Sequence, residues 1–159
     1  MRPKEFRPAV RANDERYVVD AVGGSVWHRV FHRTLYADTD RSGVVYHANY
    51  LRYFELGRTT LMRDLGYPYL EVEERGFVYP VIELGMTFHH PLHYDSPMWI
   101  HTRPAQLDRV RVTFDYVITH AETGELVCRG FTRHCALNSK GVPVAVDPTT
   151  AGCWKSFPA

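Results

Sequence analysis

The chain has 159 residues, 45% of them hydrophobic and 23% charged, with 19 Lys and Arg against 18 Asp and Glu. That length favours one domain, able to bury about 68–70% of its unfolded surface without a disulfide staple. The net charge of +1 removes the general electrostatic case for nucleic acid or an anionic membrane. Cys128, Cys135 and Cys153 form no CxxC pair, which reads as free thiols in a reducing compartment. Residues 1–17 hold no apolar run of signal-peptide type, and no segment approaches the ~20 apolar residues of a membrane span. The expectation is a cytoplasmic protein with no integral membrane segment.

Residues 1–24 are charged, carry Pro3 and Pro8, and close on Gly23-Gly24. They are expected as a peripheral, partly disordered arm, although Tyr17–Val22 has the composition to dock as a short strand or helix. The domain proper is expected over 25–147. Its first element, Val26–Tyr36, is rich in β-branched and aromatic residues and predicts a strand, with Trp27, Phe31 and Leu35 on one face. The polar stretch Asp38–Tyr50, DTDRSGVVYHANY, follows. Tyr50, Phe54, Gly57, Leu61 and Leu65 then form one stripe of a 3.6-residue period, a helix capped by Gly66 and stopped by Pro68. Gly57 costs about 1 kcal/mol inside that helix, so its place on the stripe predicts close backbone packing.

Downstream the pattern alternates with period two. Val78, Pro80, Ile82, Leu84, Met86 and Phe88 share a face, and Pro80 puts this strand at an edge or starts it late. Pro97–Asp108 is a weaker strand. Val110, Val112, Phe114, Tyr116 and Ile118 alternate most clearly, and a turn at Gly124 leads into a last strand, Leu126–Asn138. The end, 148–159, has no period and is expected as a loose tail. The order of elements gives an α+β class, an antiparallel sheet wrapped around one long helix.

The loop holds the residues with chemical potential. Asp38, Asp40, Ser42 and Gly43 match an EF-hand loop at its first, third, fifth and sixth positions, but Asn49 stands where the bidentate carboxylate belongs, so calcium is not expected. His89, His90, His93 and Asp95 invite a metal reading. Along an extended strand, however, His89 and His93 stand ~13 Å apart, too far for two zinc ligands at ~2.1 Å from one ion. No metal or other cofactor is expected. Gly23–Trp27 is not a GxSxG elbow, and no P-loop or GxGxxG is present. What remains is Asp40, on a turn released by Gly43 and seven residues before His47. A carboxylate there can serve as general base or nucleophile, while the helix start offers free N–H groups to a carbonyl oxygen gaining negative charge.

The run DTDRSGVVYHANYLRYFELGRTTLMRDLG resembles the signature of the 4-hydroxybenzoyl-CoA thioesterase family of hotdog-fold acyl-CoA thioesterases. It is especially similar to the Tol–Pal-associated branch, and looser likenesses extend over 26–146. The resemblance implies a hotdog fold and hydrolysis of an acyl-CoA thioester. It assigns the catalytic carboxylate to Asp40 and the carbonyl-polarising amide to the backbone of His47, whose side chain would orient water or substrate. Gly43, Val44, Tyr46 and Asn49 would shape the substrate site. It also implies a homodimer joined edge to edge at its sheets, often paired into a homotetramer. Arg109, Arg111 and Lys140 are candidates for the coenzyme A phosphates by their charge at strand ends. The alternatives are a hotdog hydratase or dehydratase acting on acyl thioesters, and a non-catalytic acyl-CoA-binding or scaffold protein.

Overall fold

The computed structural model describes residues 5–158. Seven antiparallel strands form one sheet: β1 (Pro8–Arg11), β2 (Asp14–Asp20), β3 (Val26–Arg33), β4 (Val81–Phe88), β5 (Pro97–Leu107), β6 (Arg111–His120) and β7 (Leu126–Cys135). Their order across the sheet is β1-β2-β3-β5-β6-β7-β4. A central helix, α1 (Tyr50–Asp64), lies on one face. Two shorter helices, α2 (Tyr69–Glu74) and α3 (Pro148–Ser156), close its far end. This is the α+β class expected, a sheet wrapped around one helix. No helix among the described residues is long and apolar enough to cross a membrane.

The stripe on α1 packs as its spacing predicts. Phe54 and Leu61 are fully buried, and Tyr50, Tyr53, Gly57 and Met62 join them, while Leu65 is only half-buried. The facing layer is Ile100 and Thr102 of β5 with Val112, Phe114, Tyr116 and Ile118 of β6, every second residue along each strand. Phe54 stacks on Tyr116 with ring centroids 4.3 Å apart. A Cβ on Gly57 would stand 2.4 Å from Thr102 Oγ1 and 2.8 Å from Ile100 Cγ2; only glycine lets helix and sheet approach that closely. Gly66, at φ 88°, ends the helix as expected.

Three expectations change. Residues 8–20, placed in a partly disordered arm, form β1 and β2, which extend the sheet through Val18↔Trp27. Val18, Trp27, Val117 and Phe6 then make a small second core on the outer face. Any disorder expected over 1–4 lies outside the described residues. The loose tail is instead α3, started by Asp147, whose side chain accepts the Thr150 N–H, with Pro148 in its first turn. In β3 only Trp27 of the predicted face is buried; Phe31 and Leu35 are exposed. Pro80 precedes β4, and β4 is an edge strand, bonded only to β7.

Candidate functional site

Two 3-10 turns, Tyr36–Asp38 and His47–Asn49, bracket the loop before α1. Asp38 pins it from beneath. Its carboxylate is 1% exposed in context and accepts from the Leu35 N–H (3.0 Å), the Tyr53 hydroxyl (2.8 Å) and Arg52 Nη1 (3.1 Å). The Asp38 carbonyl accepts from the Tyr46 N–H at 2.9 Å and from Asn49 Nδ2 at 2.8 Å, which ties the loop's two ends together. Burial and the adjacent carboxylate push the Tyr53 phenol up, so it stays protonated and donating.

Asp40 sits at the tip. The Asp40 N–H donates to the Val44 carbonyl (2.9 Å), the Gly43 N–H donates back to the Asp40 carbonyl (3.0 Å), and the Ser42 N–H donates to Asp40 Oδ1 (2.8 Å). Gly43, at φ 81°, supplies the left-handed residue this tight reversal needs. The Asp40 side chain is exposed, and one N–H on Oδ1 leaves its other oxygen unengaged.

At the helix entrance the His47 and Ala48 N–H groups make no hydrogen bond among the described residues. Two backbone donors in the 3-10 turn that leads into a 15-residue helix form a site for developing negative charge. His47 also lines an open cleft of about 300 Å³ with Val45, Tyr50, Phe88, His89 and His90. Tyr50 is pushed up to about 12 by burial, and its ring meets Phe88 edge-on at 5.2 Å. The wall is aromatic with imidazole edges. The described residues contain no group of three or more His, Cys, Asp or Glu side chains placed to hold a metal ion.

The expected residues are brought together only in part. Val44 is half-buried and bridges to His93, Tyr46 rests its ring 4.4 Å from that of His47, and Asn49 is half-buried beneath them. Asp40 lies outside the cleft wall that His47 lines. Arg109 and Arg111 are exposed at the β5–β6 turn, at the opposite end of β5 from Met98, roughly 30 Å along the strand. Within one chain they do not meet the loop. Lys140 is exposed in the turn after β7.

His89 and His90, weighed in the sequence as metal ligands, follow the end of β4 and both line the open cleft. His90 Nδ1 lies 2.8 Å from the Leu126 carbonyl, to which it donates, and His89 Nε2 is buried without a partner. Burial, then the charge of Arg129, lowers the His89 pKa. Their adjacency to Pro91 was visible in the sequence, but their neighbourhood depends on β4 crossing to the far edge of the sheet, which no local pattern encodes.

Residues 34–151 match the family model described as the Thioesterase-like superfamily. The chain is 35% identical over 105 residues to a putative acyl-CoA thioesterase, YneP, of Bacillus subtilis, covering 66% of this chain and 75% of that protein. It is 30% identical to a putative esterase of Aquifex aeolicus, covering 67% and 82% of the two chains. Among solved structures, it resembles the DHNA-CoA thioesterase of Staphylococcus aureus at a TM-score of 0.76 and 27% identity, over 81% of this chain and 89% of that one.

Proposed function

The chain belongs to the thioesterase-like superfamily, and from that premise we propose that it hydrolyses an acyl-CoA thioester to a free acid and coenzyme A. The observation that carries this reading is the pair of unspent N–H groups on His47 and Ala48, in the turn just before α1 and beside the aromatic cleft. Donors fixed in advance at a developing oxyanion contribute ~3 kcal/mol each to lowering the barrier. Asp40 supplies the carboxylate. As general base it takes a proton from the water whose oxygen bonds to the thioester carbon; as nucleophile it bonds to that carbon itself and the mixed anhydride is then hydrolysed. In either route the C–S bond breaks and the sulfur leaves as the coenzyme A thiol. The His47 imidazole orients water or substrate, and Gly43, Val44, Tyr46 and Asn49 shape the approach.

The same reading includes a homodimer formed through β4. Its outer edge is unpaired, and Val81, Ile82, Leu84 and Phe88 are all exposed along it. Phe88 also lines the cleft, so a second copy pairing on β4 would close the site. Arg109 and Arg111 reach coenzyme A phosphates only across an interface between copies. Sedimentation equilibrium is expected to show a dimer or a pair of dimers, with Ile82→Lys shifting it toward monomer. A wild-type monomer at all concentrations would refute the arrangement.

The chemistry is tested by thiol release from short-chain, long-chain and aromatic acyl-CoAs. Asp40→Asn is expected to lose roughly a hundredfold or more in kcat. Equal turnover by both proteins would remove Asp40 from the mechanism. Binding of acyl-CoA without thiol release would point to a non-catalytic binder, and hydration of an enoyl thioester to a hydratase.

A further inference from the structure

At the end of α1 away from the loop lies a second cavity, of about 50 Å³. It has room for roughly three to five waters, or one carboxylate group with a short stub. Phe54, between Tyr50 and Arg58 on α1, is fully buried against Tyr116, so packed core separates this cavity from the cleft. The polar wall is Arg58 of α1, Tyr69 of α2, His134 of β7 and Thr150 of α3; Met62, Val112 and Phe114 supply an apolar side.

The hydrogen bonds behind this wall run in one direction. His134 Nδ1 lies 2.9 Å from the Tyr79 carbonyl, which can only accept, so Nδ1 carries the proton and Nε2 accepts. Thr132 therefore donates to His134 Nε2 (2.8 Å), Tyr116 donates to Thr132 (2.7 Å), and Arg58 Nη1 donates to the Tyr116 hydroxyl (3.2 Å). Burial, then the Arg58 charge, pushes the His134 pKa down to about 4. The imidazole is neutral, and Arg58 is the only charged side chain in the wall.

Every acceptor in the chain is used, and donors are left over. Arg58, half-buried, makes no ion pair among the described residues. Tyr69 accepts the Tyr79 N–H at 3.1 Å and shares its own O–H with the exposed Glu73 carboxylate. Thr150 is 2% exposed; its hydroxyl makes no well-formed hydrogen bond and interacts only loosely with Tyr79 and Asp147. Two acids stand near without lining the cavity. Asp147 is held by the Tyr79 hydroxyl (2.5 Å) and the Thr150 N–H (3.0 Å), and Glu73 is exposed beside Tyr69. A half-buried guanidinium without a counter-charge and a buried hydroxyl without a well-formed hydrogen bond are both unfavourable as they stand.

We propose that this cavity binds a small carboxylate anion, held by Arg58 with the Thr150 hydroxyl as a further donor. A planar carboxylate matches a guanidinium edge in two parallel bonds, and its short alkyl stub would lie against Met62, Val112 and Phe114. A tetrahedral dianion would ask for more charge than one arginine gives. Because the wall draws on α1, α2, β7 and α3, an occupant clips together the elements that close this end of the fold.

The test is a titration of the full chain with acetate and propionate, against chloride and sulfate at matched ionic strength. Thermal stability and the His134 ring resonances by NMR are followed together at pH 7, where the added carboxylates are ionised. The expected result is a saturable rise in Tm with acetate, and a saturable shift of the His134 ring resonances as bound carboxylate settles beside Arg58. Arg58→Met and Thr150→Val should each weaken binding, the former about tenfold or more. The proposal is overturned if chloride or sulfate acts equally, if His134 does not move at saturation, or if the variants bind as the wild type does. Should Arg58→Met fail to fold, Thr150→Val, which is nearly isosteric, decides the matter.

Discussion

Asp38 accepts from one backbone amide, one phenol and one guanidinium beneath the loop, whereas Asp40, two residues on, points its carboxylate into solvent with a single amide on Oδ1. Removing the first leaves three donors without their acceptor. Asp38→Ala is therefore expected to lose about 3 kcal/mol of stability in chemical denaturation, while Asp40→Asn should leave the denaturation midpoint close to wild type and act on turnover. A loss of stability at Asp40 as large as at Asp38 would contradict this division. The turn that Gly43 releases at Asp40 was legible in the sequence. The sequence did not show what Asp38 holds, because Arg52 and Tyr53 reach it from the next helix turn, and side-chain direction is not written in spacing. His89 and His90 were illegible for a similar reason: their neighbours arrive from Leu126 and His47, far away along the chain.

Gly57 shows an element-scale constraint that was legible. An apolar stripe interrupted by glycine announced close packing, and Thr102 with Ile100 is what the helix packs against. Both are fully buried and β-branched, so neither can swing aside. Gly57→Ala should gain about 1 kcal/mol in helix propensity and lose more to overpacking, which typically costs 1–3 kcal/mol. The net expectation is destabilisation, read as a lower Tm; a higher Tm would mean that the helix shifts outward at little cost. The short elements were harder to read. α2 has six residues and α3 nine, too few turns for a 3.6-residue period to stand out. β1 is four residues long and exposed over its first three, and β2 opens with Asp14, Glu15 and Arg16, so composition favoured an arm where pairing with β3 makes a sheet.

Across the whole molecule, burial makes several histidines poorly disposed to accept protons, His101 and His134 the most strongly. His101 is 1% exposed and His134 2%, and burial lowers the pKa of each to about 4. The unfolded chain, with histidines near 6.5, takes up those protons first. Their contribution to stability is therefore complete above about pH 6.5 and is lost as pH falls toward 4, at about 1.4 kcal/mol per pH unit for each histidine. Denaturation at pH 7 and at pH 5 should differ by about 4 kcal/mol from this pair; equal stability at both would show that the imidazoles can charge in place. The sheet that buries them keeps one open margin. β4 crosses the molecule to pair with β7 and leaves its outer edge free, with Glu83 the only charge among Val81, Ile82 and Leu84. Sheet edges are usually guarded by lysine, proline or a bulge, and β4 has only Pro80 at its threshold and the irregularity between Val81 and Glu83. With a second copy covering this edge, as proposed above, stability would depend on the chain's own concentration. Dilution would then bare the edge as a template for any extended peptide, so scarcity, rather than heat, would be the condition under which this fold is most exposed to misassembly.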